Sequence, residues 1–366
     1  MSGNWATTHR EIVSGQRRGL GATLARRMLA AASVPYALAM RLRNLLFDLG
    51  WKRVHRAAVP VISVGNLTLG GTGKTPAVEW LARYYRARGQ RVAVLSRGYG
   101  QSVGRNDEAL VLEENLPDVP HLQGKDRVAL AQTAVAELDS EILLLDDGFQ
   151  HRRLHRDLDL VLIDATDPWG QAWVFPRGRL REPQSRLRQA SVVALTRCDQ
   201  VSAPELQQLR AEVTRLAPKS LLVESIHSPD CLRDTNGTEE ALTALRERPV
   251  AAFCGLGNPD AFFRTVVSLG ADLRMRRTYE DHYPYRREDV EELNNWADGL
   301  PPDAWVVTSQ KDLVKLRLTH LRERPLWAVR IAWRLTAGEA ELQARLEQFL
   351  PSPKVAPSPV TDDTGE

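Results

Sequence analysis

The stretch Pro60-Val-Ile-Ser-Val-Gly-Asn-Leu-Thr-Leu-Gly-Gly-Thr-Gly-Lys-Thr-Pro76 decides the fold. Its apolar start, ending at Ser63 and Val64, reads as a buried strand. A glycine-rich turn follows, and Lys74-Thr75 opens a helical pattern of Val78, Trp80, Leu81 and Tyr84. Strand, glycine loop and helix N-terminus in that order make a phosphate cradle. Loop amides and the helix dipole attract negative charge, Lys74 reaches the outer phosphates, and the Thr75 hydroxyl ligates Mg²⁺. Gly70, Gly71, Thr72 and Gly73 form the cradle, and the three glycines are expected where the turn needs unusual dihedrals. The strict motif places a glycine five residues before Gly73, where this chain has Thr68. An ordinary glycine-rich turn would need no Lys-Thr pair, so the stretch reads as a nucleoside triphosphate site.

Working outward, apolar runs over 59–64, 91–95, 141–145, 158–163 and 191–195 read as strands, and 75–88, 127–138 and 203–216 as helices. Short apolar strands alternating with helical periods predict an α/β fold: a phosphate-loop-type, mostly parallel sheet flanked by helices. Functional loops then belong at the carboxyl ends of the strands. Turn-formers gather over 225–248 (Ser228-Pro229-Asp230, Asn236-Gly237). Beyond them a strand over 250–254, a helix over 260–269 and a strand over 305–308 predict a second, smaller α/β domain. The expected division is a basic amphipathic segment (1–56), a kinase-type domain (57–225), the smaller domain (226–350) and a disordered tail (351–366) rich in proline.

With 366 residues there is room for two ordinary cores, and 43% hydrophobic with 26% charged residues is a globular composition. Cys198, Cys231 and Cys254 form no CxxC pair, which excludes a cysteine metal framework. The net charge of +3 is unevenly spread. Residues 1–56 hold ten basic side chains against Glu11 and Asp48, a surplus of eight, which leaves the other 310 residues at −5. Met28 to Met40 carries no charge and is bracketed by Arg26-Arg27 and Arg41 and Arg43. At 13 residues it is too short to span a bilayer, which takes about 20. Leu38, Leu42, Leu45, Leu46 and Leu49 continue at helical spacing. An apolar stripe with arginine flanks describes a helix lying on an anionic membrane surface, as a peripheral anchor. The apolar character favours membrane over nucleic acid as the partner, and no protein partner is implied.

Leu143-Leu144-Leu145-Asp146-Asp147 is a hydrophobic strand ending in two carboxylates, a place from which phosphate-loop proteins hold Mg²⁺. Gly148-Phe149-Gln150-His151 continues it, and Arg152, Arg153 and Arg156 supply cations suited to phosphate. Phosphoryl transfer to an alcohol needs a proton acceptor. Asp107, within Arg105-Asn106-Asp107-Glu108, and the loop pair Asp281-His282 are candidates that spacing alone does not single out. Glu182 is a further possible Mg²⁺ partner.

Together these words resemble the tetraacyldisaccharide 4′-kinase family, the lipid A disaccharide kinases of Gram-negative bacteria. The likeness runs from about residue 34 to 318. It is carried by the 64–76 block, Ser-Arg-Gly-Tyr-Gly (96–100), Asp107-Glu108 and Asp-Asp-Gly-Phe-Gln-His-Arg-Arg-Leu-His-Arg-Asp (146–157). Leu-Arg-Glu-Pro (180–183), Gly-Leu-Gly-Asn-Pro (255–259), Asp281-His282 and Lys-Asp-Leu-Val-Lys-Leu (311–316) complete it. The missing first glycine of the loop is also the family's habit. The resemblance implies transfer of phosphate from ATP to the 4′-hydroxyl of a tetraacylated glucosamine disaccharide 1-phosphate, giving lipid IVA at the cytoplasmic face of the inner membrane. It implies that Lys74 and Thr75 bind phosphate and Mg²⁺, with Asp146, Asp147 and Glu182 near the metal. Asp107 would take the hydroxyl proton and His282 would pair with it. The chain departs from the family pattern at Asn106 and Ala109, at Ser309-Gln310, and at Phe175-Pro176-Arg177-Gly178-Arg179, whose two extra arginines are placed to meet an anionic head group. A partitioning-type ATPase is the nearest rival, but its signature lysine would fall at Leu69. A switch GTPase would need Asn-Lys at Thr196-Arg197.

Overall fold

A computed structural model describes residues 3–98 and 107–350. The tail expected over 351–366, and Tyr99, Gly100 and Asn106, lie outside them. Two helices come first, α1 (Gly3–Ser14) and α2 (Leu20–Asp48). The first half of the sheet follows as β1 (Val61–Asn66), α3 (Lys74–Arg86), β2 (Val92–Ser96), α4 (Asp107–Asn115), β3 (His121–Gln123), α5 (Arg127–Ala136), β4 (Ile142–Asp146), β5 (Leu158–Asp164), β6 (Val192–Thr196) and α6 (Ala203–Leu216). Then come β7 (Leu221–Arg233), β8 (Glu239–Glu240), β9 (Pro249–Cys254), α7 (Pro259–Ser268), β10 (Asp272–Thr278), α8 (Arg287–Ala297), β11 (Trp305–Ser309), α9 (Gln310–Leu316), β12 (His320–Leu321), β13 (Arg324–Ala337) and α10 (Glu339–Glu347).

The strands lie in the order β10-β9-β11-β13-β7-β6-β5-β1-β4-β2-β3, with β8 beside β7 and β12 beside β13. Neighbours along this path are parallel except at β13 and β7, which run antiparallel. Every residue of β1, β2, β4 and β6 is buried, as strands covered by helices on both faces must be. β1 is flanked by β4 and β5, so the loop after β1 opens at a crevice where the chain turns to opposite sides of its starting strand.

The expected boundary near 225 falls inside β7. The strand begins parallel to β6 and then continues across from β13. Ser228-Pro229-Asp230, read as a turn, lies in the strand, and the register with β13 shifts there, from Arg330 opposite Cys231 to Ile331 opposite Pro229. A bulge is where a strand tolerates proline, because the ring has no N–H for the ladder. Two further clusters of apolar side chains form around β9 and β11. Trp333, Leu335, Leu342 and Leu346, from the end of β13 and from α10, return to the core built on β1 and α3. The halves also share a buried polar knot. Glu79 of α3 accepts from Arg330 at 2.7 Å, from Arg83 at 2.9 Å and from Asn115 at 2.8 Å, and Asn115 exchanges bonds with Gln310.

Helix α2 is longer than the leucine pattern predicts, reaching back to Leu20 through Pro35. Its inner face is small or polar, burying Ala22, Ser33 and Asn44 with Phe47. Leu20, Leu24, Met28, Val34, Leu38, Leu42 and Leu45 all face outward, Leu20 with 92% of its surface free. This reverses the usual amphipathic arrangement of a helix on a soluble core. No helix among the described residues is long and apolar enough to cross a membrane.

Candidate functional site

The loop after β1 delivers the phosphate cradle. Gly70 and Gly73 have φ of +121° and +89°, the left-handed side that favours glycine. Gly71 does not share it: its φ is ordinary and a Cβ there would meet nothing, so the expected dihedral need holds at two of the three glycines. Side chains tie the loop carbonyls down from one side. Arg179 donates to Leu69 O at 2.9 and 2.5 Å, Arg197 to Gly71 O at 3.0 Å and Thr196 to Thr72 O at 3.1 Å. In a trans peptide the N–H opposes the C=O, so these bonds aim the amides of Gly70, Thr72 and Gly73 the other way. Helix α3 begins at Lys74, adding its free first-turn amides.

Asp146 and Asp147 end β4 beside this loop. Asp147, at a left-handed φ of +52°, accepts two bonds from Arg181 at 2.7 and 2.9 Å and lies 3.5 Å from Lys74 Nζ. Burial opposes its charge, yet Lys74 and Arg181 outweigh it and hold the carboxyl below its usual range. Asp146 is the opposite case. Burial, with the charges of Glu108 and Asp147 against the help of Lys74, pushes it up to about 7. Among the described residues its buried Oδ1 has no hydrogen-bond partner, nor have Thr72 Oγ1 and Asn66 Oδ1. Orphaned oxygens of this kind suit a hard cation, and Mg²⁺ commonly takes one or two carboxylates with the rest from phosphates and water. Thr75 and Asp146 fit that requirement. Glu182 is engaged by neighbours of its own. It is 1% exposed and held by Asn44 at 3.2 Å and by Arg43 and Arg186 at 3.6 Å each. Among the described residues no set of three or more His, Cys, Asp or Glu gathers as a metal site. Of the three expected carboxylates, Asp147 is paired with Arg181 and Glu182 with Arg43 and Arg186.

Asp107 and His282 meet although 175 positions separate them. His282 Nδ1 stands 2.9 Å from Asp107 Oδ2 and 3.1 Å from Oδ1. Asp107 opens α4 with a side chain 6% exposed, while the His282 ring, in the loop between β10 and α8, is 55% exposed. Burial would raise Asp107, but the bond to His282 and the charges of Lys311 and Lys315 bring it below its ordinary value. The same bond raises His282 against its own desolvation. Asp281 lies 3.9 Å from His282 Nε2. Glu108, next to Asp107, feels the charge of Lys74, and Asp146 feels Glu108, so dyad and cradle are within electrostatic reach of each other.

Several residues went unassigned in the sequence. Arg181, the main partner of Asp147, hides among five arginines of the 177–188 segment. His227 of β7 stands against Gly73, where an added Cβ would lie 2.0 Å from its Nε2, and burial lowers it to about 3. The arginines expected to meet an anionic head group are engaged inside the chain. Arg177 donates to Val13 O and Arg179 pairs with Asp167. Likewise Arg152 pairs with Asp48 and Arg156 with Asp159.

The family model for tetraacyldisaccharide-1-P 4′-kinase (LpxK) matches residues 25–351. A tetraacyldisaccharide 4′-kinase of Anaeromyxobacter sp. (strain K) is 40% identical over 93% of this chain and 96% of its own length. One from Geobacter metallireducens is also 40% identical, over 79% of this chain and 88% of its own. A crystal structure of LpxK from Aquifex aeolicus in complex with ATP superposes with a TM-score of 0.71 at 29% identity, covering 89% of this chain and all of that one. With the cradle, the dyad and these likenesses in agreement, the chain belongs to the tetraacyldisaccharide-1-P 4′-kinase family.

Proposed function

We propose that this chain transfers the γ-phosphoryl group of ATP to the 4′-hydroxyl of a tetraacylated disaccharide 1-phosphate, at the surface of the bacterial inner membrane. The contact that carries the reading is Asp107 with His282, a carboxylate–imidazole pair facing a Lys-Thr phosphate loop. In the reaction the sugar O–H bond breaks, its oxygen bonds to the γ-phosphorus, and the bond from γ-phosphorus to the β–γ bridging oxygen breaks to release ADP. Amides of the 70–75 loop and Lys74 neutralise charge that grows on the phosphoryl oxygens. Arg181 keeps Asp147 turned toward Lys74, which steadies the lysine. The proton passes to the Asp107–His282 pair. Asp107 is the carboxylate that receives it, and the more exposed His282 orients Asp107 and shares the charge. When bound, Mg²⁺ would be held by Thr75 and Asp146 and would supply further charge neutralisation. A cation beside Asp146 would also return that carboxyl to its ionised form.

Helix α2 would lie in the membrane interface, its outward leucines among acyl chains and Arg27 and Arg41, both exposed, toward anionic head groups. That position sets the cleft next to a substrate that is itself a lipid. The experiment is to mix ATP labelled at the γ position with the purified chain, Mg²⁺ and tetraacyldisaccharide 1-phosphate in anionic vesicles. Label on the lipid is the expected result; label released only as inorganic phosphate would overturn the reading.

A further inference from the structure

Helix α9 contains the repeat Lys311-Asp312-Leu313-Val314-Lys315, and its two lysines face the first turn of α4. Lys311 Nζ donates to Glu108 Oε1 at 2.8 Å. Lys315, one turn on, has its Nζ 3.8 Å from Asp107 Oδ2 and 3.3 Å from Asp312 Oδ1. That ammonium is buried, makes no hydrogen bond among the described residues, and lies over the Tyr285 ring at 5.5 Å. A buried cation held only by charge and an aromatic face is costly unless its position does something.

Balancing Asp312 does not require it. Asp312 is fully buried and already accepts from Ser309 at 2.6 Å, from the Gly255 amide at 3.0 Å and from Tyr285 at 3.1 Å. Those three donors satisfy its oxygens without the ammonium. Asp107 has fewer supports: the imidazole of His282 and the Glu108 amide at 3.1 Å. Lys315 thus stands between a carboxylate fixed in the second half of the sheet and the one proposed to take the proton.

We propose that Lys315 is a positioning residue of the phosphoryl transfer, using Asp312 as its anchor to hold Asp107 against His282 in the charged form. The inference rests on Asp107 being the proton acceptor. The groups facing Asp107 among the described residues are His282 and Asp281 from the β10–α8 loop, Lys311 and Lys315 from α9, and Glu108 on its own helix. Both lysines act on Asp107 by charge, Lys311 the more strongly, but Lys311 is bonded to Glu108, whereas Lys315 lies against Asp107 itself and is anchored on Asp312. Its charge joins those of His282 and Lys311 in keeping Asp107 below the ordinary carboxylate range, in spite of burial. Because Lys315 comes from α9 and Asp107 from α4, the acceptor is complete only when the two halves are seated on each other.

The test is kcat and KM against pH for Lys315→Met, Lys315→Arg and Asp107→Asn in the full chain with ATP, Mg²⁺ and lipid substrate. Lys315→Met should lower kcat roughly ten- to hundredfold with KM for ATP unchanged. Its acidic limb of kcat/KM, which belongs to the Asp107–His282 pair, should move up by about one pH unit. Lys315→Arg should restore most of the rate and the original limb. An unshifted limb in Lys315→Met, with Asp107→Asn inactive, overturns the role of Lys315 alone. Near-normal turnover in Asp107→Asn removes the acceptor assignment and this inference with it. Should Lys315→Met melt early, Lys315→Gln carries the same expectation.

Discussion

The phosphate cradle and the proton-accepting pair are built in contrasting ways. Among the described residues the proposed phosphate grip comes from one stretch, β1 through the first turn of α3, with helpers that tie its carbonyls back. The proposed proton acceptor draws on three places: Asp107 at the start of α4, His282 in the loop before α8, and Lys315 of α9 beside them. A contiguous site survives any motion between halves, because its geometry is local. A dispersed one exists only while those parts stay packed. Binding of nucleotide and readiness for transfer are therefore separable properties of this molecule.

Substitutions can break that separation or sharpen it. The largest effect is expected from Lys74→Ala, which removes the cradle's cation. Turnover should fall about a thousandfold or more in the labelled-phosphate assay, with ATP binding weakened as well. Asp107→Asn should cost about a thousandfold in kcat while equilibrium ATP binding stays as it was. Loss of ATP affinity in that variant would show the two sites are not separable.

Next in size is Leu38→Glu with Leu42→Glu on the outward face of α2. Each leucine is worth roughly 1.5–3 kcal/mol when taken out of water, so vesicle partition should drop by about a hundredfold or more. ATP hydrolysis or binding in solution should not change. Unchanged sedimentation with anionic vesicles would remove the helix as an anchor.

The smallest effect concerns the pairing of His282 with Asp107. His282 is raised by its partner, so its support for the fold is present at low pH and fades as pH rises through that raised value. Asp107 is depressed, so its share is present at neutral pH and fades as pH falls through its lowered value. Between those two limits His282→Gln should melt about 1–2 °C below the parent chain, and the gap should close on either side. A gap constant from acid to alkali would mean that the contact is packing alone.

Much of the first half could be read from residue order. β1, β4, β5 and β6 are mostly apolar runs of the length a doubly covered strand needs, and the Lys-Thr pair follows one of them. The second half was harder for a definite reason. β7 and β13 are 13 and 14 residues long with mixed burial, and β7 carries a proline and turn-formers that a bulge accommodates. Local chemistry there points to a turn, and only pairing with a distant strand overrules it. The site divides the same way. Asp146 and Thr75 lie where periodicity places them, whereas the meeting of Asp107 with His282 was implied by family resemblance and by nothing in their spacing. Glu182 shows the limit of both routes: its carboxylate is taken up by Arg43 and Arg186, partners that a motif read in isolation does not reveal.

The one antiparallel pairing within the main run of strands has a mechanical meaning. Since β7 and β13 carry a ladder from one half to the other, interrupted only by register shifts after Arg330 and after Leu335, the halves are joined by strand pairing and not by a slack loop. The seating of α9 against α4 is thus tied to the pairing of those two strands, and the proline-bearing bulge is where that tie is locally relaxed.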